Sequence, residues 1–370
     1  MKSRKAAGRR RAVQLLTAGV AVGAVAGGSV LFNYAPWLNY DRPAEQSRRM
    51  LDSSTGIDLA RYATLAASSH NTQPWSFAIE HNAVVIRPDY RRRLPVVDPN
   101  DRELWISLGC ALENLLISAR ATGRRGEVTY PQTNDSIQIQ LTDDARQGGP
   151  LFDAIPLRQN TRSEYDGKRV DTRDLDALQS MPLEPGIELH FIVNGPGIDL
   201  VLDYVRQGAI SQYADQSFVK ELTLWLRFNK REALISCDGL YSGCSGNPQV
   251  PRWLGKMFVD GIQPPQQADA DAKKLLSSAG AVLVTSTSDD KTAWVRTGQV
   301  YQRLALMLTS LNIKSAFLNQ AVEVPALREQ FRTALALGES RPQLLVRFGY
   351  ADRMPYSLRR PVEQVMSASR

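Results

Sequence analysis

Residues Ala67–Phe77, ASSHNTQPWSF, crowd Ser68, Ser69, His70, Asn71 and Gln73 into one short run ahead of Pro74-Trp75. That is more hydrogen-bonding capacity than a surface turn uses. Such a run suits a ligand with many polar groups, and Pro74-Trp75 gives the exit a fixed φ and a large flat ring. Two cationic segments accompany it: PLRQNTRSEYDG, with Arg158, Asn160, Thr161 and Arg162, and MPYSLRRPVEQV, with Arg359 and Arg360. Guanidinium groups pair phosphate bidentately, although an Arg pair alone is more often the mark of a solvated face. His70 is the loop's one group that titrates near neutral pH, and a structural role suits it better than catalysis.

Other chemistries have less support. His70, His81 and His190 are the only histidines, and Cys110, Cys237 and Cys244 have no metal-ligand spacing. Cys237 and Cys244 allow either a disulfide, in an exported protein, or two packed thiols. The net charge is +7, yet six Lys/Arg lie in the first eleven residues, MKSRKAAGRRR. The body is mildly basic and has no helix-turn-helix, zinc-finger or aromatic-basic RNA signature, so nucleic acid is not expected as a partner.

Residues 12–33 begin with the uncharged run AVQLLTAGVAVGAVAGGSVLF, long enough to span a bilayer. Two readings lead: an uncleaved anchor with its basic end in the cytoplasm, or a cleaved export signal of twin-arginine type after Arg9-Arg10-Arg11. Both put the body at or beyond the inner membrane. A buried helix of the fold, in a cytoplasmic protein, is the alternative. Residues 34–55 read as a polar linker.

The elements that must position the polar segments follow from periodicity. Helices are expected near 58–68, 103–122, 150–158, 171–180, across most of 199–235, and at 290–311 and 324–336. Strands are expected in SFAIEHNAVVIRPD, with a turn at His81-Asn82, in two segments of 127–142, and at 187–193, 279–286 and 343–351. Residues 237–253, CDGLYSGCSGNPQVPRW, read as irregular. The domain division is 1–33, the linker 34–55, a first half 56–147 and a second half 148–370.

The two long helices repeat a pattern. Trp105, Gly109, Leu115 and Gly123 recur as Trp294, Gly298, Leu304 and Asn312 at a constant offset of 189. Either these are two unrelated core helices, or the chain is a fused dimer of two α+β halves related by a pseudo-twofold axis.

The three polar segments resemble the FMN site of the nitroreductase superfamily. Arg158–Arg162 (RQNTR) is similar to its Arg-x-Ser/Thr-x-Arg signature, with Asn160-Thr161 where Ser is usual. Ser68–Trp75 (SSHNTQPW) is similar to its Ser/Asn/Gln-Pro-Trp loop, and Arg359–Pro361 (RRP) to its tail. The HNTQPW form resembles the Acg-type branch, which fuses two nitroreductase-like halves, and the likeness runs over about residues 56–366.

The resemblance implies an α+β nitroreductase-like fold of two pseudo-twofold-related halves. Each half would carry a small mixed or antiparallel sheet packed on long central helices. It implies FMN as cofactor, held by Ser68, Ser69, Asn71, Gln73, Arg158, Asn160, Thr161, Arg162, Arg359 and Arg360, with the chemistry at flavin N5 rather than on a side chain. It implies NAD(P)H as donor, a nitroaromatic, quinone or small aromatic acceptor, and a monomer acting as a pseudo-dimer. The loop lies in the first half and both Arg segments in the second, so one complete site is expected per chain. SGCSGNPQVPRW, which retains Asn247, Pro251 and Trp253, would be the drifted loop of a second. Two other functions remain open: an FMN-sequestering protein occluded by the insertion at 205–262, and an anchored interaction module.

Overall fold

The structure is a computed structural model that describes residues 38–50, 55–131, 135–193 and 195–367. The first part of the chain supplies α1 (Asp41–Gln46), α2 (Gly56–Thr64), β1 (Trp75–Glu80), β2 (Ala83–Pro88), α3 (Arg102–Ala121), β3 (Arg124–Thr129) and β4 (Ile137–Asp143). Next come α4 (Pro150–Ala154), α5 (Thr172–Gln179), β5 (Ile187–Ile192), α6 (Pro196–Ala214), α7 (Gln216–Trp225), β6 (Leu226–Arg227), α8 (Lys230–Ser236), β7 (Leu240–Tyr241), α9 (Arg252–Asp260) and α10 (Pro264–Leu276). The chain continues through β8 (Gly280–Ser286), α11 (Lys291–Ser310), β9 (Lys314–Phe317), α12 (Gln320–Glu323), α13 (Pro325–Ala334) and β10 (Arg341–Gly349).

Two antiparallel four-stranded sheets flank the long helices α3 and α11. One has the order β1-β2-β4-β3 and the other β5-β8-β10-β9. Along β4, buried Ile137, Ile139 and Leu141 alternate with exposed residues, so the first sheet covers the core with one face. β8 is buried throughout. Its Val282 and Val284 join the central core, while Ala281 and Leu283 pack with Val201, Val205 and Phe331 on the outer side. This explains its unbroken apolar run.

The repeat read from sequence is the crossing of the two central helices. A Cβ on Gly109 would stand 2.0 Å from the Val295 carbonyl oxygen, and one on Gly298 would stand 2.0 Å from that of Ile106. Only glycine permits so close a crossing. The side-chain pairs around it are exchanged by the same offset, which matches position 113 to 302 and 114 to 303: Glu113 bonds Arg303, and Asn114 bonds Gln302. Both helices end on a left-handed residue, Gly123 at φ +86° and Asn312 at φ +58°. The architecture is thus α+β, with two halves related by a pseudo-twofold axis through the Gly109–Gly298 contact.

The structure departs from expectation in several places. β9, α9 and α10 had no sequence signal strong enough to place them. Part of the expected linker is packed: α1 lies there, and Tyr40, Ala44 and Arg48 are buried. Cys237 and Cys244 are free thiols. The expectation of a membrane-spanning helix is corrected: no helix among the described residues is long and apolar enough to cross a membrane. Residues 12–33, on which it rested, lie outside the described residues. Trp253 is exposed on α9, whereas Trp75 is fully buried, so the drifted loop does not fold as the first does.

Candidate functional site

The loop that joins α2 to β1 is held from three sides. At its root, Gln302 accepts from the Ala67 amide and donates to Asn114, which donates to the Tyr62 carbonyl. Inside it, Ser68 Oγ accepts from the Gln73 amide. The Ser69 amide donates to Ser107 Oγ on α3, and the Ser69 hydroxyl donates to Glu103 at 2.7 Å. From the insertion, Asn71 donates to the Gly239 carbonyl and Gln73 to that of Cys237. From the tail, Arg359 donates to Asn71 Oδ1 at 3.0 Å, and the Arg360 amide donates to Gln73 Oε1. His70, Asn71 and Gln73 all have left-handed φ, between 45° and 52°. Non-glycine residues hold that conformation only where the surroundings compel it.

The Arg158–Arg162 segment is fixed from beneath. Arg347 of β10 is buried over the Tyr165 ring, 4.0 Å from its centroid, and donates to the Thr161 and Ser163 carbonyls. Arg158 donates to the Leu65 carbonyl, and Arg359 to those of Leu65 and Ala66. The cations therefore sit against the C-terminal end of α2, where the helix dipole favours positive charge.

Two adjacent spaces that share lining residues result. The larger has a volume of about 230 Å³, with Ser68, Ser69 and His70 on one side and Ile106, Phe317, Leu318 and Leu344 among its apolar walls. The insertion closes part of it with Gln212, Tyr213, Phe218, Leu222 and Leu240. The smaller is lined by Ser68, Asn71, Asn160 and four arginines: Arg48, Arg158, Arg162 and Arg359. Ser68, Asn160 and Arg162 line both spaces.

The electrostatics of the smaller space are one-sided. Among the described residues, none of the four arginines has a carboxylate at ion-pair distance. Burial, followed by Arg158, lowers Arg48 to about 10. Burial likewise lowers Arg158 and Arg162, and it pushes Arg359 well down with help from Arg48 and Arg158. Arg48 Nε, Arg158 Nε and Nη1, and Arg359 Nε are buried N–H groups with no partner among the described residues. Four desolvated cations with spare donors form a site for an anion. A phosphate answers both the charge and the donors.

Part of the lining of the larger space is acidic. Glu103, which accepts from Ser69, also meets Glu323 there, and burial, then the Glu103 charge, raises Glu323 well above the usual carboxyl range. Asp98, behind Glu103, is raised to about 6 by burial and by Glu103. Burial lowers His70 to about 4, so its imidazole is neutral at physiological pH, and its Nδ1 has no partner among the described residues.

Of the residues singled out from sequence, Ser68, Ser69, Asn71, Arg158, Asn160, Arg162 and Arg359 line these spaces, while Gln73, Thr161 and Arg360 line neither. Gln73 and Arg360 tie the loop to the insertion and the tail. Thr161 is bonded by backbone to Ser315 and Arg347. Sequence reasoning missed Arg48, Glu103, Glu323 and Arg347. Arg48 sits in a polar stretch without periodicity, and the others carry no motif.

A cavity with apolar walls thus adjoins an arginine-lined anion recess, on residues drawn from both pseudo-twofold-related halves. Among known proteins, the chain is similar to ones named as nitroreductases. The "Putative NAD(P)H nitroreductase Rv3131" of Mycobacterium tuberculosis is 24% identical over 337 residues, spanning 88% of this chain and 94% of that protein. The "Putative NAD(P)H nitroreductase acg" of the same organism is 27% identical over 325 residues, spanning 82% and 92%. The resemblance to the nitroreductase superfamily read from three short motifs thus extends over most of the chain. No protein-family model matches it. Among solved structures, the FMN-dependent nitroreductase NfnB of Mycobacterium smegmatis, in complex with NADPH, is similar at 14% identity and a TM-score of 0.37, spanning 60% of this chain and 98% of that one. A nitroreductase with bound FMN from Bacteroides fragilis is similar at 17% identity and a TM-score of 0.34, spanning 55% and 90%.

Proposed function

We propose that the chain is an FMN-dependent oxidoreductase of nitroreductase type, taking electrons from NAD(P)H and delivering them to a nitroaromatic, quinone or similar acceptor. The observation that carries this reading is the pairing of the acid-free arginine recess with the adjoining cavity, on two shared polar side chains and one shared cation. The residues fit the cofactor: unpartnered guanidinium N–H groups await an anion, and apolar walls beside them suit a flat ring. FMN, when bound, supplies the two-electron redox chemistry between donor and acceptor.

Each side chain then has a task. Arg158 and Arg359 would hold the phosphate. Arg162, which lines both spaces, would stabilise negative charge on the reduced ring. Ser68, Ser69 and Asn160 offer hydrogen bonds to the ribityl chain and the ring edge, while Asn71 positions Arg359. Gln73 and Arg360 act through the loop rather than on the ligand. One such site per chain follows, because the first loop meets both Arg segments and the drifted loop ends on an exposed helix.

A second reading is favoured by the insertion. Its residues Gln212, Tyr213, Phe218 and Leu222 wall a cavity of about 230 Å³, below the ~300–1,000 Å³ of ordinary ligand sites. Such a space accommodates one ring system more readily than a stacked flavin and nicotinamide, as in an FMN-sequestering protein. The visible spectrum of the full chain, purified without added flavin and then given NADPH under anaerobic conditions, separates the two. Bleaching of a yellow protein supports the oxidoreductase, and persistent colour supports sequestration. A colourless protein that also fails to take up added FMN refutes both.

A further inference from the structure

We propose that Arg48 is a phosphate-binding residue of the flavin site and that Tyr40–Arg48 is an N-terminal clasp fastened by the bound phosphate. This rests on the FMN reading above. The recess has four cationic walls, and three come from the segments that the sequence motifs identify. The fourth, Arg48, comes from the far end of the chain, from a stretch with no motif.

Arg48 is held where a ligand-binding group has to be. It is 5% exposed. Its Nη1 donates to the Pro156 carbonyl at 2.9 Å and the Arg158 carbonyl at 3.1 Å, which fixes it to the backbone of the Arg158 segment. Its guanidinium lies over the Tyr356 ring, 4.1 Å from the centroid. Its Nε remains buried and without a partner among the described residues. Two carbonyls, an aromatic face and an unused donor orient the fork without neutralising it. A residue that served packing alone would gain nothing from lying beside Arg158 and Arg359.

The clasp is anchored separately. The Tyr40 hydroxyl donates to the Tyr356 carbonyl at 2.7 Å. Tyr40 and Ala44 pack with Ala233, Tyr241, Cys244, Tyr356 and Leu358, so the segment lies between the insertion and the C-terminal tail. The Tyr40 ring meets that of Tyr241 at 4.4 Å. Without an anion, repulsion among the four guanidiniums works against this anchorage. With a phosphate dianion in the recess, the same charges hold the segment down. Phosphate occupancy and clasp closure are therefore linked, and each strengthens the other.

The test compares FMN with riboflavin, which lacks the phosphate, by titrating flavin-free full-length protein and following fluorescence quenching. Arg48→Met keeps the stem that packs on Tyr356 and removes the charge. It is expected to weaken FMN binding by about 10- to 100-fold, the range for one charge-assisted bond, and to leave riboflavin binding within about two-fold. Arg48→Lys is expected to recover part of the loss.

A readout on the unmodified protein guards against misfolding of the variant. Trypsin cuts after Arg48 and Arg49, and FMN is expected to slow that cleavage in proportion to occupancy, whereas riboflavin at equal occupancy does not. An Arg48→Met protein with the wild-type FMN-to-riboflavin preference overturns the proposal. So does equal protection by both flavins. A wild-type protein that binds neither flavin overturns the FMN reading itself, a result distinct from either of these.

Discussion

The close crossing of α3 and α11 gives the sharpest test of the architecture. Gly109→Ala places a methyl group 2.0 Å from the Val295 carbonyl oxygen and 3.0 Å from the Gly298 Cα. Ordinary contact begins near 3.4 Å, so the helices must part by roughly 1.4 Å. The obstacle is backbone and cannot rotate away. In an unobstructed helix this substitution would stabilise by about 1 kcal/mol. Overpacking costs about 1–3 kcal/mol or more, and parting the helices also loosens the Glu113–Arg303 and Asn114–Gln302 bonds beside the crossing. The first two terms leave a loss of about 0–2 kcal/mol, and the two loosened interactions add about 1 kcal/mol each, so a net loss of about 2–4 kcal/mol follows, at the upper end for single substitutions.

Urea unfolding measures it, with Gly148→Ala as control, since nothing lies within 4 Å of a Cβ there. Gly298→Ala is expected to behave as Gly109→Ala does. The double variant is expected to lose much less than the sum, because one displacement accommodates both methyls. FMN affinity falls in parallel, because α3 also carries Glu103, Ile106, Ser107 and Cys110 to the cavity. Wild-type stability in Gly109→Ala refutes the close crossing and the pseudo-twofold axis drawn through it.

Arg162→Ala is expected to weaken FMN retention by about 10- to 100-fold with no loss of melting temperature, because Arg162 is desolvated and makes no hydrogen bond to a described residue; flavin content and thermal melting check it together. Asn71→Ala is expected to weaken retention through Arg359, which it releases, and to lower the melting temperature as well. His70 has a folded pKa of about 4 against an ordinary 6.5. The unfolded chain therefore binds the extra proton between those values, and stability falls as pH drops from about 6.5 to about 4. Asp98, raised to about 6, works in the opposite direction over part of that range, so the readout is the difference in melting temperature between wild type and His70→Asn across pH 4–7. Arg303→Met strands the buried Glu113 carboxylate and is expected to cost about 3–5 kcal/mol in urea unfolding. Adding Glu113→Leu recovers a large part, and no recovery argues against the pair as the source.

The sequence disclosed those parts of the site whose chemistry is crowded into a few consecutive residues. Ser68–Trp75 stood out because its side chains exceed the needs of a turn, and Arg158–Arg162 and Arg359–Arg360 because cations cluster in them. The central crossing was legible because Gly109 and Gly298 interrupt two otherwise apolar helices at matched positions. Arg48 was invisible because one arginine in a polar stretch has no period and no neighbours of its kind, and only folding sets it beside Arg158. The Glu103–Glu323 contact joins residues far apart in the chain, so nothing local to either announces it. β9 escaped because four residues, KSAF, are too short for an alternation to be read. The same limit separates Gln73 and Arg360 from their neighbours: their residue types fit a ligand, but the Gln73 side chain accepts from the Arg360 amide and donates to the Cys237 carbonyl, and the Arg360 side chain donates to the Gln73 and Gln364 carbonyls.

That last point answers why so polar a loop exists. Three residues with left-handed φ in one turn cost of the order of 1 kcal/mol each, and of the three Gln73 has the least preference for that conformation. The loop is nevertheless held, because its amide side chains are satisfied from outside: Asn71 by Gly239, Leu358 and Arg359, and Gln73 by Cys237 and the Arg360 amide. Half of its polarity is therefore scaffold, bonding the insertion and the tail to the loop. The other half, Ser68, Ser69 and the face of His70, is turned toward the cavity. Such a division keeps the ligand-facing groups fixed before any ligand arrives. It also means that the insertion that narrows the cavity is the part that holds the loop in its strained form, so removing the insertion to open the site would release the binding loop with it.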